Sequence, residues 1–353
     1  MKENTPTLPN EYFAAANGYA GFKSYFGEVF NSRDFSAIYV LKGGPGTGKS
    51  SFMKKLVREL CDSGHYTEAI YCSSDPNSLD GVISGEGKRK IAVIDGTAPH
   101  ERDAVIPGAI DEIINLGDCW ETEWLRSQRD AILDLNKEKS DAYKAAYSYM
   151  KLAGESERII TTEALENFDT KAAIKKAESI INAEGGKALF KTRLVSSFGR
   201  YGERRFDTIE KNSNKVFSVI GKREYAQIFM NMLREKFLSA EGEIILCPAA
   251  LDAKNTDAIY SRDTKNGYII GGNGEKIDAD EFCRTSSLSA ERVKRARESR
   301  EIALAEAERW FSIASDLHFR LEEIYTRAMN FDQIDKIYND RLQKIINILE
   351  TDG

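Results

Sequence analysis

The octapeptide Gly-Gly-Pro-Gly-Thr-Gly-Lys-Ser at residues 43–50 restricts the fold of this chain more than any other stretch. It matches the phosphate-binding loop pattern, in which glycine stands at the first and sixth positions and Lys-Ser follows. The apolar run at residues 37–41 predicts a short strand before the loop, and the periodicity of residues 51–57 predicts a helix after it. A strand, a glycine loop and a helix in this order predict a site for the phosphates of a nucleoside triphosphate.

The residue types in the loop indicate separate roles. Lys49 is expected to reach the β- and γ-phosphate oxygens, and the Ser50 hydroxyl is expected to take a position on Mg²⁺. A glycine-rich turn that merely caps a helix is the simpler alternative, but it gives no reason for Gly-Lys-Ser at the helix start. The predicted nucleotide-binding residues are Gly43, Gly44, Pro45, Gly46, Thr47, Gly48, Lys49, Ser50 and Ser51.

An aspartate that closes an apolar strand is the second expected element of such a site. Residues 91–95, Ile-Ala-Val-Ile-Asp, supply it as Asp95, which we predict to hold Mg²⁺ with Ser50 and to act in catalysis with Lys49. Gly96 follows Asp95, so the Asp-Glu pair of many ATP-driven motors is missing here. That absence argues against vigorous hydrolysis and leaves slow hydrolysis, switch-like binding and phosphoryl transfer open.

Two further residues follow predicted strands of the same lobe. The strand that ends at residues 71–72 is expected to neighbour the loop strand, which makes Asp75 a candidate catalytic carboxylate. Ser-Asp-Pro is also an ordinary turn, in which the aspartate bonds the backbone, and both interpretations stay open. His100 either contacts the γ-phosphate or a substrate, or is satisfied by a backbone carbonyl.

The chain contains traces of an internal duplication. Met53 and Met230, Leu56 and Leu233, and Asp80 and Asp257 are each 177 positions apart, and Asn-Phe-Asp occurs at both 167–169 and 330–332. We therefore predict two units: residues 1–187 as an active unit (α/β lobe about 1–120, helical arm about 121–187) and residues 188–353 as a second unit (lobe about 188–286, arm about 287–353). Further strands are expected near residues 11–15 and 192–197.

The second copy is predicted to be degenerate. Residues 221–227, Gly-Lys-Arg-Glu-Tyr-Ala-Gln, stand in place of the phosphate loop with one residue deleted, and the 177-residue shift puts Gly272 in place of Asp95. A bulky, charged loop cannot present the row of N–H groups that holds phosphate. The arginines near this copy either act in cis on the γ-phosphate or are solvated surface charges; they are Arg200, Arg204, Arg205 and Arg223.

Composition excludes several classes of function. With a net charge of −6 and a pI near 5.5, the chain is not expected to be a general nucleic-acid binder or a DNA-dependent motor. Five cysteines without C-x-x-C spacing predict reduced thiols rather than a disulfide or zinc framework. No apolar leader or membrane-length run is found, so a cytoplasmic protein without a membrane partner is expected.

These observations predict an α/β fold: a P-loop NTPase lobe with a helical hairpin arm, duplicated as a degenerate second α/β lobe with its own arm. The second arm carries a heptad-like apolar seam, which predicts an amphipathic core helix and leaves room for a protein partner along the arms. The seam residues are Trp310, Ala314, Leu317, Leu321, Ile324 and Ala328.

The chain resembles a family of bacterial ATP-binding proteins with two tandem P-loop halves. The resemblance rests on residues 43–50, on Cys-Ser-Ser-Asp-Pro-Asn-Ser-Leu-Asp-Gly-Val-Ile at 72–83, on Asp-Gly-Thr-Ala-Pro-His at 95–100 and on the segment 107–117. It implies ATP as the nucleotide, with ATPase or nucleotide-kinase-like chemistry. Typical members keep a working loop in both halves, and this chain departs from them at 221–227 and at Gly272.

Three functions follow from the sequence and stay open at this point. The first is a slow Mg²⁺-dependent ATPase that acts as a nucleotide-state switch through the first copy only. The second is a nucleotide or small-molecule kinase with Asp75 as base, and the third is a non-catalytic nucleotide-binding scaffold.

Overall fold

A computed structural model describes residues 6–181, 186–284 and 287–351. Within these ranges the chain forms two α/β lobes, each built on a six-stranded mixed sheet with a parallel core, and long helices that pack together. The predicted units and arms extend over residues 1–5, 182–185, 285–286 and 352–353, which lie outside the described residues.

The first half of the chain supplies eight strands and five helices among the described residues. In chain order they are β1 (Asn10–Phe13), β2 (Ala15–Gly18), β3 (Gly21–Ser24), α1 (Phe26–Val29), β4 (Ala37–Lys42), α2 (Lys49–Asp62), β5 (Thr67–Tyr71), β6 (Leu79–Ser84), β7 (Ile91–Asp95), β8 (Asp111–Asn115), α3 (Thr122–Ser127), α4 (Arg129–Glu166) and α5 (Thr170–Ile180).

The second half repeats much of this series. Its elements are β9 (Leu189–Thr192), β10 (Ser196–Gly199), β11 (Gly202–Arg205), α6 (Thr208–Asn212), β12 (Lys215–Ile220), α7 (Arg223–Phe237), β13 (Glu243–Pro248), β14 (Thr256–Ser261), β15 (Asn266–Ile270), β16 (Glu275–Asp278), α8 (Ser287–Ala328) and α9 (Phe331–Glu350).

The two large sheets have the same strand order. Lobe 1 runs β1-β5-β6-β7-β4-β8 and lobe 2 runs β9-β13-β14-β15-β12-β16. In each sheet the third strand of that order is antiparallel to both of its neighbours, and the other neighbouring pairs are parallel. Two lobes with one topology are consistent with the duplication predicted from the sequence.

The strand predictions were correct where a run is apolar throughout and incomplete elsewhere. β4 covers the predicted run at residues 37–41 and ends one residue beyond it, and β1 and β9 supply the sixth strand of each sheet near the expected positions. β6, β8, β14 and β16 were missed. β6 and β8 contain aspartate, glycine or asparagine within short sequences, Leu-Asp-Gly-Val-Ile-Ser and Asp-Glu-Ile-Ile-Asn, and neither shows a clear two-residue apolar period.

The compact units of the fold do not coincide with the two sequence copies. Unit 1 combines the described residues of Met1–Ala14, Phe26–Lys144 and Phe311–Gly353, and unit 2 combines Ala15–Tyr25 with Ala145–Trp310. The boundary predicted at residues 187/188 therefore separates sequence repeats rather than compact bodies. The physical reason is that each lobe completes its core with a helix from the other copy's arm.

The apolar cores show this exchange of helices directly. In unit 1 the core around β4, β7 and α2 is completed by Tyr338, Ile345 and Leu349 of α9. In unit 2 the core around β12 and α7 is completed by Ala164 of α4, by Phe168 in the connection between α4 and α5, and by Ala177 of α5. Each helix is amphipathic and removes its apolar face from water by covering a lobe that would otherwise stay open.

The long helices α4 and α8 run antiparallel to each other within each unit. In unit 1 the Trp124 indole N–H donates to the Ile324 carbonyl oxygen at 3.3 Å, from the short helix α3 that precedes α4. The rings of Tyr143 and Phe311 lie 6.0 Å apart.

In unit 2 Arg300 and Arg292 of α8 pair with Glu157 and Glu163 of α4, each at 2.6 Å. Four of the predicted seam residues of α8 are buried, which fits an amphipathic core helix; they are Ala314, Leu317, Leu321 and Ala328. Among the described residues, no helix combines the length and the apolar character that crossing a membrane would require.

Candidate functional site

The glycine loop joins β4 to α2 over six residues, Gly43 to Gly48. Gly46 and Gly48 have φ values of +68° and +84°, a region of backbone conformation that L side chains rarely adopt. Gly48 caps the N-terminus of α2, so the helix begins at Lys49 as the sequence predicted. The loop and the helix start therefore have the backbone that an anion site needs.

Close packing is a second reason for the glycines in this loop. A Cβ on Gly44 would lie 2.9 Å from Cε1 of Tyr325, and a Cβ on Gly46 would lie 2.5 Å from the Glu322 carbonyl oxygen. The Thr326 hydroxyl donates to the Gly46 carbonyl oxygen at 3.3 Å. The last turns of α8 thus lie directly against the loop, a contact that sequence reasoning missed because its partners are nearly 280 residues apart.

The side chains of Lys49 and Asp95 lie close together beside the glycine loop. The Lys49 ammonium donates to the carbonyl oxygens of Gly43 and Gly44, each at 2.8 Å, and lies 3.7 Å from Oδ2 of Asp95. Parallel pairing of β4 with β7 sets Asp95 beside Leu41, two residues before the loop. The structure therefore brings together the lysine and the aspartate that the sequence assigned to one site.

Asp95 is partly buried, with 17% of its side chain exposed, and its electrostatic surroundings are mixed. Burial raises the pKa of its carboxyl; the Lys49 ammonium lowers that pKa, and the Asp80 carboxylate raises it further. Oδ1 accepts hydrogen bonds from the backbone N–H of Thr97 at 2.8 Å and from the Thr97 hydroxyl at 2.6 Å. These two bonds hold the carboxylate with Oδ2 toward Lys49.

Asp80 is a site residue that the sequence analysis did not single out. β6 pairs with β7 so that Gly81 lies opposite Ile94, and one further step of this register brings Asp80 next to Asp95. The backbone N–H of Leu79 donates to the Ser50 hydroxyl at 3.0 Å, which ties the start of β6 to the phosphate loop. The sequence did contain one signal for Asp80, its match to Asp257 at a shift of 177 residues. Both aspartates are buried in the structure, one in each lobe.

His100 is buried, and its imidazole pairs with the Asp80 carboxylate. Its Nε2 lies 3.0 Å from Oδ2 of Asp80, and its ring stacks on Phe26 with centroids 4.0 Å apart. The fold therefore brings Lys49, Asp95, Asp80 and His100 together at one site.

Asp75 lies in a turn, in line with the structural alternative weighed for it. Its Oδ1 accepts from the backbone N–H of Asn77 at 3.0 Å, and its carbonyl oxygen accepts from Ser78 at 3.0 Å. The expectation that its strand neighbours the loop strand was wrong: β5 pairs with β1 and β6, whereas β4 pairs with β7 and β8. Two strands, the antiparallel β6 and then β7, lie between β5 and β4, and the catalytic role of Asp75 stays a prediction.

The corresponding loop of lobe 2 is shorter, as the sequence indicated. Only Gly221 and Lys222 stand between β12 and α7, compared with six residues in lobe 1. One residue is deleted, since Val219 corresponds to Leu41 at a shift of 178 and the buried Met230 to Met53 at a shift of 177, and α7 begins three residues earlier than α2 in this alignment. Oδ1 of Asp280 accepts the Lys222 backbone N–H at 2.8 Å. A carboxylate of the protein thus occupies the position near the helix start at which a phosphate loop would receive its anion.

The strand register also corrects the predicted replacement of Asp95. Val219 lies opposite Ile270 in lobe 2, as Leu41 lies opposite Asp95 in lobe 1, so Ile270 rather than Gly272 takes the place of the aspartate. The shift between the lobes is not constant along the chain, because the loops between strands differ in length. The carboxylate is absent from this position under either alignment.

The arginines considered as cis groups are engaged within unit 2. Arg223 donates to both carboxylate oxygens of Glu203 at 2.8 and 2.9 Å, and Arg205 lies 3.0 Å from Glu210. The guanidinium groups of Arg200 and Arg204 lie over the Tyr201 ring, 5.0 and 5.4 Å from its centroid. These contacts favour structural roles, and action on a γ-phosphate stays a prediction.

The donor groups at the loop fit a magnesium ion bound together with phosphates. Mg²⁺ in such sites takes one or two carboxylates with substrate oxygens and water, and the Ser50 hydroxyl and the Asp95 carboxylate are hard oxygen donors of that kind, with the Asp80 carboxylate alongside. No cluster of three or more His, Cys, Asp and Glu residues suited to holding a metal by themselves is found in the part of the chain that the structure describes.

Comparisons with models of protein families, with curated proteins and with solved structures found no match to this chain. The case for a function therefore rests on the geometry of the site and on the motifs.

Proposed function

We propose that lobe 1 binds a nucleoside triphosphate, ATP by the resemblance of its motifs, and hydrolyses it slowly with Mg²⁺. The observation that carries the proposal is the 3.7 Å approach of Lys49 Nζ to Asp95 Oδ2 at the mouth of a glycine loop that leads into α2. In this reading lobe 1 is a P-loop NTPase lobe, and lobe 2 is its degenerate copy.

Each residue of the site has a role in this proposal. Lys49 exchanges its bonds to the Gly43 and Gly44 carbonyls for β- and γ-phosphate oxygens, and Ser50 and Asp95 hold Mg²⁺. The metal supplies positive charge that stabilises the charge developing on the phosphate oxygens. Asp80, fixed by His100, orients a water molecule or a metal-bound water at the same end of the sheet.

The packing of α8 on the loop supports a switch. Gly44 and Gly46 leave no room for a side chain against Tyr325 and Glu322, so a shift of the loop on nucleotide binding must displace the end of α8. α8 begins in unit 2 and ends in unit 1. Nucleotide state would in this way reach a helix that belongs to both units.

The alternatives of the sequence analysis have weaker support. A kinase with Asp75 as base requires that carboxylate to leave its bond with the Asn77 N–H and to reach an acceptor hydroxyl. A non-catalytic scaffold would use Lys49 and Asp95 for binding alone, but it gives no reason for the Asp80–His100 pair beside them.

Magnesium-dependent release of phosphate from ATP tests the proposal. We expect slow release by the full-length protein, loss of release in Lys49→Ala and Asp95→Asn, and little change in Asp75→Ala. Lys54→Ala, an exposed lysine on the same helix, is the matched control and should keep wild-type release.

Binding without release would favour the scaffold or, if an added acceptor restores turnover, the kinase. Loss of release in Asp75→Ala alone would give that residue the catalytic role. If the wild type neither binds nor hydrolyses ATP, the proposal is wrong.

A further inference from the structure

A groove of about 620 Å³ lies in unit 1 beside the phosphate loop. One wall is residues 118–121, which follow β8, the edge strand next to β4, and the other wall is residues 327–333 between α8 and α9. The volume is in the range of small-molecule sites. The groove opens at the carboxyl end of the sheet, where ligands of α/β folds collect.

An exposed aromatic ring joins this groove to the loop. Phe331, the first residue of α9, has 43% of its surface exposed, and its Cε1 lies 3.6 Å from the position that a Cβ on Gly48 would occupy. Trp120, on the opposite wall, packs at 5.8 Å from Tyr325, which in turn lies against Gly44. The groove therefore begins where the phosphate loop ends.

The corresponding segment of unit 2 is built differently. The turns after the last strands of the two lobes end at Cys119 and Phe282. The Cys119 carbonyl oxygen accepts the backbone N–H of Asn330, which is the N-cap of α9. The Phe282 carbonyl oxygen accepts the backbone N–H of Asp169, which is the N-cap of α5, and both distances are 2.7 Å. Asn330 thus takes the place of Asp169.

The two Asn-Phe-Asp tripeptides matched in the sequence are therefore two positions out of step in the structure. In unit 2 Phe168 comes before the N-cap, is 8% exposed and packs against Tyr225 and Phe282. In unit 1 the two-residue slip moves Phe331 past the N-cap and into the open groove. The lobe with a phosphate loop keeps the phenylalanine exposed, and the lobe without one buries it.

We propose that this groove binds the base of the nucleotide, which stacks on Phe331 while its phosphates occupy the loop at residues 43–50. The inference rests on the proposed function and names the part of the substrate that the loop itself does not contact. A flat apolar ring next to Gly48 is the surface on which a base stacks without regard to its edge groups.

Charge in the groove suits a base with N–H donors at its edge. Asp118, Glu121 and Asp332 supply carboxylates, Arg327 a cation, and Asn330 and Gln333 amide groups. A carboxylate accepts the N–H of an exocyclic amino group, which adenine carries.

Calorimetric titration with ATP and with inorganic tripolyphosphate, both with Mg²⁺, separates the base from the phosphates. We expect the wild type to bind ATP more tightly than tripolyphosphate. Phe331→Ala should weaken ATP binding by about tenfold or more and leave tripolyphosphate binding unchanged. Phe331→Trp should keep ATP affinity, and Phe319→Ala, which truncates a phenylalanine of similar exposure (38%) on α8, is the control.

Three outcomes would overturn the inference while leaving the proposed function intact. They are equal affinity of the wild type for ATP and tripolyphosphate, no effect of Phe331→Ala on ATP, and equal weakening of both ligands by Phe331→Ala, which would mean that the ring only supports the loop. If the wild type binds neither ligand, the proposed function fails and the base site fails with it. Lys49→Ala should weaken both ligands together.

Discussion

Asp95 is a partly buried carboxyl group whose ionised form the surrounding fold disfavours. Burial raises its pKa above the ordinary value of 3.8 in spite of the nearby Lys49 ammonium and the Thr97 hydrogen bonds. A nucleotide-bound Mg²⁺ would supply the missing positive charge. The residue is thus suited to a ligand rather than to the stability of the empty protein.

Replacing Asp95 by asparagine should therefore stabilise the protein in the absence of nucleotide. Below pH 3.8 the carboxyl is protonated in both the folded and the unfolded chain, and as the pH rises through the raised pKa the ionised group lowers the free energy of unfolding. We expect Asp95→Asn to melt above the wild type at about pH 7 and the difference to vanish toward about pH 4. Thermal melts across this pH range measure it.

Asp130→Asn, at a carboxylate with 91% of its side chain exposed, is the control and should show no such trend. A Tm of Asp95→Asn that is below the wild type at both pH values would contradict the argument, since it would show that the pair with Lys49 outweighs the cost of burial.

Gly46 combines a left-handed backbone with a contact that excludes a Cβ. Gly46→Ala should lower the free energy of unfolding by about 2 kcal/mol or more, because strain at positive φ adds to a 2.5 Å approach to the Glu322 carbonyl oxygen. Gly108→Ala has a similar φ of +74° but open space around the new Cβ, so it isolates the strain. Chemical denaturation measures the loss of unfolding free energy in both variants and so separates backbone strain from the contact with Glu322. Equal losses in the two variants would show that α8 does not pack closely against the loop.

At the scale of elements, α9 is part of the lobe-1 core although it comes last in the chain. Tyr338 packs edge-on to Phe52 of α2 with ring centroids 4.9 Å apart, and Lys55 of the same helix lies over the Tyr338 ring. Ile345 and Leu349 continue the contact toward β7 and the turn before it. The phosphate loop is therefore held between two segments from the second half of the chain, the end of α8 and the start of α9.

Truncating a side chain near the end of α9 should destabilise the core that supports the candidate site. Leu349→Ala removes a side chain that is 5% exposed and is expected to cost about 2–5 kcal/mol of stability. Leu152→Ala, at an α4 leucine that is 56% exposed, should cost less than about 0.5 kcal/mol. Urea denaturation followed by circular dichroism measures both variants, and equal losses would count against the placement of α9.

At the scale of the whole molecule, neither sequence copy contains all the residues of one core. The lobe of residues 1–120 lacks α9 when the chain is cut after residue 187, and the lobe of residues 188–286 lacks α5 and the end of α4. Each half would expose the apolar surface that the missing helix covers.

The fragments 1–187 and 188–353, expressed separately, should therefore not fold as independent domains. We expect neither fragment to unfold cooperatively and a one-to-one mixture to recover cooperative unfolding, because each fragment supplies the helix that the other needs. Circular dichroism melts and sedimentation of the fragments and the mixture measure this. A cooperative transition in one isolated fragment, at the temperature of the full-length protein, would contradict it.

Local patterns were sufficient for much of the fold. The glycine loop, the strand before it and the helix after it were predicted from about twenty consecutive residues, and both helical arms were predicted from local composition and periodicity. Short polar strands such as β6 were missed because their burial depends on neighbours elsewhere in the sheet. Asp80 was passed over for the same reason, since only the pairing of β6 with β7 brings it beside Asp95.

The sequence by itself indicated the glycine loop between a strand and a helix, the repeated series of elements and the changed loop of the second copy, because each of these depends on local residue types. Only the tertiary structure decided that β6 lies between β5 and β7, that Asp280 fills the shortened loop, and that the Asn-Phe-Asp segments are out of step. It also decided which helix completes which core. These features arise from contacts between residues far apart in the chain, and apolar periodicity shows which face of a helix is buried but not against what.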